Sequence, residues 1–104
     1  GGRLYPRAQA AREALRESFE DALDGVDALV APTMPDVAPR IEDVADPGFD
    51  WSLNTRPADV TRQPAISLPN GRVEGMPVGL HLQTAAFEEA ALLGAAARVE
   101  ATLD

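Results

Sequence analysis

The sequence predicts an α/β fold in which two amphipathic helices pack on a few short strands. Three observations predict it. Apolar residues recur at steps of three and four near both ends of the chain, which is the helical period. A short apolar run, residues 26–31, ends at proline and reads as a strand. Two further runs, residues 63–71 and 76–82, hold no charge, are bracketed by prolines, and are separated by a glycine-bearing turn. They read as a hairpin of two short strands.

The first helix spans residues 6–24, with Leu4, Ala8, Ala11, Leu15, Phe19 and Leu23 along one face. Pro6 suits its first turn, where a missing N–H costs nothing, and Gly25 is a natural stop. Arg12 and Arg16 alternate with Glu13, Glu17 and Glu20, so ion pairs four residues apart are available. Residues 26–31 are expected to form a largely buried strand that Pro32-Thr33-Met34-Pro35 ends. Residues 33–61 show no period and carry Pro35, Pro39, Pro47 and Pro57 among six acids, so they read as one long loop. Such loops are uncommon inside compact domains. This one holds Trp51, the only tryptophan, and predicts that the chain packs against something larger.

In the hairpin, Asn70-Gly71 is the turn signal. If Leu68 pairs with Pro77, Ser67 faces Val78 and His81 lies roughly 10 Å further along. The last helix follows the stretch Thr84-Ala85-Ala86-Phe87-Glu88-Glu89 and runs to Leu103, with Leu92, Leu93, Ala96, Val99 and Leu103 inward and Glu88 and Glu89 in the first turn, where the dipole favours carboxylates.

The chain of 104 residues is the size of one small domain and is read as a single segment. Its net charge is −8, and all nine basic residues are arginine. That balance repels a phosphate backbone and argues against nucleic acid as a partner. A solvated surface and adaptation to high salt each account for the acidity, and GC-rich coding favours arginine and alanine over lysine. No apolar run reaches the roughly 18 residues that a membrane span needs. No apolar segment of signal-peptide type stands at the start, and there is no cysteine. A cytoplasmic protein is the expectation.

Candidate chemistry is sparse. A lone histidine without cysteine does not suggest a metal site, and the acids between Asp36 and Asp50 do not follow a calcium-loop spacing. No glycine-rich phosphate cradle is present, and no cofactor is implied. Ser18, Ser52 and Ser67 lack a nucleophile context, and His81 is placed too far from Ser67 to serve it. No residue is assigned a catalytic role.

Taken in order, the segments resemble the C-terminal part of the amidase signature family. The resemblance rests on Tyr5, Ala8 and Arg12 in the first helix, and on Asp27, Leu29, Pro32 and Thr33 at the first strand. It continues with Val60, Thr61, Gln63, Pro64, Ala65, Ser67, Pro69 and Gly71, then Pro77, Val78, Gly79 and Leu80. Phe87, Glu89, Leu92, Leu93 and Glu100 complete it. Arg62 stands where the family usually has glycine, Asp59 where it often has asparagine, and His81 where glutamine is common.

The resemblance implies a mixed-sheet amide hydrolase with a Ser–cis-Ser–Lys triad and a Gly-Gly-Ser-Ser-Gly-type loop. This chain has neither lysine nor such a loop. It is therefore read as a C-terminal segment that supplies strands, covering helices and part of a substrate cleft, and that is inactive alone. Pro32, Thr33, Met34 and Trp51 are the cleft candidates. The implied partners are the remainder of the amidase fold, from the same gene or a neighbouring chain, or a second copy, with a small amide as substrate. A non-catalytic binding or regulatory domain, and the small subunit of a split amidase, stay open as alternatives.

Overall fold

The computed structural model describes residues 2–45 and 50–103. Asp46 and Pro47, which the sequence assigns to the long loop, lie outside the described residues. The elements run α1 (Leu4–Ala22), β1 (Leu29–Pro32), a 3-10 turn (Ile41–Asp43), α2 (Arg56–Thr61), β2 (Ala65–Val73), β3 (Met76–Gln83) and α3 (Glu89–Glu100). The three strands form one sheet of order β1-β3-β2, antiparallel throughout. β3 is the middle strand.

The hairpin forms with a different turn from the one expected. β2 begins and ends two residues later than its apolar run, β3 is one residue longer than its own, and the two-residue connection is Glu74-Gly75, with φ of 52° and 80°. Positive φ at both positions is what a type I′ turn requires, because its twist matches that of the strands. Gly75 takes that angle freely, whereas Glu74 does so against its Cβ. Asn70-Gly71 instead forms a bulge, for the pairing steps from Pro69↔Gly79 to Arg72↔Pro77 with one extra residue on β2. The turn at Glu74-Gly75 and the bulge together shift the register by three residues. Leu68 lies opposite Leu80, and Ser67 lies directly opposite His81.

Residues alternate between the two sheet faces. Leu68 and Leu82, with Ile66 and Leu80 partly buried, turn to one face, and there Leu92 and Ala96 of α3 cover them. Val99 and Leu103 complete the contact, but Leu93, expected inward, is 60% exposed. A helix lying on a flat sheet buries a narrow stripe, and Leu93 stands beside it. β1 is an edge strand, so it is only half covered and Val30 is exposed. The expected burial of this strand does not hold.

The opposite face carries polar residues. Gln83 donates to Gln63 Oε1 at 2.6 Å, and Thr61 Oγ1 donates to the same oxygen at 2.8 Å. Gln63 Nε2 in turn donates to Glu20 Oε1 at 3.1 Å, and the Ala86 N–H reaches that oxygen at 3.4 Å. Thr61, Gln63 and Gln83 are buried, so each bond replaces water that the side chain has lost. One carboxylate on α1 thus ties together α2, the sheet and the approach to α3.

The segment read as one long loop holds two helical pieces. α2 has Pro57 in its first turn, which removes only an N–H that would be unpaired anyway. It ends at Arg62, whose φ of 60° and ψ of 34° are left-handed, and the Gln63 N–H returns to the Ala58 carbonyl at 3.1 Å. This is the ending that glycine usually supplies. α1 rests on α2 through its C-terminal end and buries no residue along its length. The expected four-apart ion pairs do not form among the described residues, and Arg12 donates to Gln9 instead.

The molecule is a slab of 47 × 38 × 17 Å with a radius of gyration of 15.9 Å. A compact chain of this length would have a radius of roughly 13 Å. It exposes 7364 Å², against roughly 5,600 Å² for a closed globule of its size. Leu4, Tyr5, Ile41, Phe87 and Leu93 are all more than half exposed.

Candidate functional site: an apolar cleft at the end of the sheet

The cleft lies where β1 runs out into the segment that follows Pro32. It encloses about 660 Å³ and is lined by Val30, Ala31, Pro32, Met34, Pro35, Asp36, Val37, Ala38, Trp51, Asn70, Val73, Pro77, Val78, Gly79 and Leu80. Its size falls within the range of small-molecule sites, and so does its mostly apolar lining. Three local features build it. Prolines at positions 32, 35 and 77 deny the backbone a continuing ladder and so keep the end of the sheet open. The bulge at Asn70-Gly71 bends β2 and brings Asn70 to the rim. The turn that holds Trp51 closes the far side.

That turn is braced by Asp50. Its Oδ1 accepts from the Ser52 N–H at 3.1 Å, from Ser52 Oγ at 3.3 Å and from Arg56 Nη2 at 2.9 Å. Arg56 Nη2 also donates to Ser52 Oγ at 2.6 Å. The pair is largely solvent-exposed, so it contributes about 0.2–1 kcal/mol, enough to bias a turn.

Of the four residues expected at a cleft, Pro32, Met34 and Trp51 share this one. Thr33 stands beside it. Thr33 Oγ1 and Ser67 Oγ are 2.6 Å apart in a hydrogen bond, and the Thr33 N–H donates to the Gly79 carbonyl at 3.1 Å. Gly79 permits this close approach, because a Cβ there would stand 2.6 Å from Ser67 Oγ and 2.8 Å from Thr33 Oγ1. The sequence reading missed Asp36 and Asn70 as the polar lining, and Asp50 and Arg56 as the braces of Trp51. An acid and an arginine flanking the only tryptophan were the available signal.

His81 is closer to Ser67 in register than expected, yet no catalytic pair results. Ser67 Oγ is held by Thr33, and among the described residues it shares no hydrogen bond with His81. His81 is 6% exposed and faces a separate cavity of about 210 Å³ with Phe19, Leu29, Leu53, Asn54, Pro57 and Gln83. Burial lowers its pKa below the usual imidazole value, and the Asp59 carboxylate partly offsets that. No cluster among the described residues could hold a metal ion. No helix among them is long and apolar enough to cross a membrane.

With this geometry in view, comparison with known proteins decides the family. A family model described as Amidase matches residues 2–93. The chain belongs to the amidase family. A curated relative, the A subunit of glutamyl-tRNA(Gln) amidotransferase from Methanospirillum hungatei, is 38% identical over 97 residues, 91% of this chain and 22% of its own length. The protein of the same name from Natronomonas pharaonis is 41% identical over 89% of this chain and 23% of its own. A crystal structure described as an amidase superposes over all of this chain and 26% of its own, at 34% identity and a TM-score of 0.84. This amidase-family chain therefore spans about a quarter or less of the length of these relatives, and corresponds to their C-terminal segment. The resemblance drawn from residues 5–100 is borne out, and so is the α/β architecture.

Proposed function

We propose that this chain serves amide hydrolysis by forming one wall of the substrate cleft, while the nucleophile, the base and the oxyanion donors come from the remainder of the amidase fold. The observation that carries this reading is the convergence of Pro32, Met34 and Trp51 on one apolar cleft. Such a cleft grips the body of a small amide and does nothing to its carbonyl, because attack requires an activated nucleophile. The exposed stripe on α1 and the thin slab support a partner surface of matching apolar character, in the same polypeptide or in a neighbouring chain. The lack of lysine and the net charge of −8 favour a small amide over a tRNA at this segment, although relatives carry tRNA in their names. A soluble, cytoplasmic protein fits the same reading.

The test is kinetic. The chain alone is expected to hydrolyse small amides no faster than buffer. Joined to the upstream segment of a relative that carries the lysine and the glycine-serine loop, it is expected to turn them over. In that joined protein Trp51→Ala raises KM with kcat little changed, the signature of lost substrate binding. Turnover by the chain alone, or a Trp51→Ala variant with unchanged KM, overturns the reading.

A further inference from the structure

The cleft has one charged side chain among its described lining residues, and it is acidic. Asp36 sits on the stretch that follows Pro35, and one of its oxygens accepts the Val37 N–H at 2.7 Å. That bond holds the carboxylate in place at the cleft. The only side-chain amide among the described lining residues is that of Asn70. No arginine lines the cleft among the described residues. The two nearest in sequence are engaged elsewhere: Arg40 is 3.9 Å from Glu42, and Arg72 donates to the Gly75 carbonyl at 2.9 Å.

We propose that the cleft selects by charge, accepting amides whose apolar body bears a cationic or neutral group and rejecting anionic ones, with Asp36 as the residue that sets this selectivity. The proposal rests on the cleft being the amide site and goes beyond it by naming the substrate class. The physical reason is short. Trp51, Met34, Val78 and Leu80 offer apolar surface to the ligand body and exclude water from it. Asp36 is exposed, so its carboxylate acts at the cleft with the modest strength of a surface charge: a second negative charge is repelled and a positive one is held. The net charge of −8 works in the same direction at longer range.

Trp51 is the chain's only tryptophan, so its fluorescence reports on this cleft alone. Three phenylacetamides that differ only at the para position, bearing trimethylammonium, methyl or carboxylate, are titrated into the protein at low ionic strength. All are expected to give a saturable change, with the trimethylammonium compound binding roughly ten-fold more tightly than the carboxylate, as two partly exposed charge effects add. Raising the salt shrinks that ratio. Asp36→Asn keeps an acceptor for the Val37 N–H and is expected to bring the charged compounds to within about two-fold of each other, since the charge effect is lost. Asp36→Lys reverses the order. Equal binding of the two charged compounds by the unaltered protein, or an order that survives Asp36→Asn, overturns the selectivity and leaves the amide cleft standing. No response to any of the three overturns both.

Discussion

α1 and α3 carry the same kind of pattern and meet different fates. Both place apolar residues at helical spacing. α3 buries Leu92, Ala95 and Ala96, whereas α1 buries nothing and leaves Leu4 and Tyr5 about two-thirds exposed. The difference does not lie in the helices. Leu68 and Leu82 offer α3 an apolar surface, but the face nearer to α1 presents Gln63, His81 and Gln83, and of these Gln63 alone reaches α1, through Glu20 at one end. An amphipathic stripe predicts that a face will be covered; it does not say that the same chain covers it. The lesson agrees with a segment that spans about a quarter of its relatives.

The comparison can be broken at the covered helix first. Leu92→Ala removes a nearly fully buried side chain and is expected to destabilise the chain by about 2–3 kcal/mol, read from urea unfolding. Acidification strikes the other face. The pKa of His81 is lowered in the folded state, so the unfolded chain binds its proton first as the pH falls. Its contribution to stability is complete above the unfolded value of about 6.5 and is lost progressively below it. A stability profile between pH 8 and pH 5 should show that slope, and His81→Gln should flatten it. Arg62→Gly relieves a left-handed residue at the end of α2 and is expected to stabilise by roughly 0.5–1 kcal/mol, visible as a rise in Tm. Smallest is Leu15→Ala on the uncovered stripe of α1, expected within about 0.5 kcal/mol of the unaltered chain. A loss as large as that from Leu92→Ala would mean that α1 is covered after all, by a second copy or by a fold-back of the chain.

The sequence made the regular elements legible where local chemistry is decisive. Period, prolines and glycines located both long helices, β1 and the two hairpin strands. Three things were hidden for physical reasons. The hairpin turn was assigned to Asn70-Gly71, the stronger turn signal, yet the bulge took that pair and left Glu74-Gly75 to turn the chain. A three-residue shift, from the expected Val78 to His81, then set the partner of Ser67, because strand register follows the whole pairing and not one dipeptide. α2 is only six residues long and ends on an arginine in a glycine-like conformation, so neither its period nor its stop was readable. At the cleft, Pro32, Met34 and Trp51 could be named from the resemblance, but Asp36 and Asn70 arrive there through the bulge and the proline-bent path after β1, which only the assembled sheet defines.

The strand order has a consequence for how the chain acquires its shape. β2 and β3 are joined by two residues and can pair as soon as both exist. β1 has a single neighbour, β3, and Val30 meets Leu82 across about fifty residues of intervening chain. Closing that distance is slow, because the entropy of a long loop must be overcome before any pairing repays it. During synthesis, β1 and the first residues of the cleft therefore emerge early and wait unpaired until the middle strand is made. The cleft assembles last, and its assembly is a long-range event set by β3.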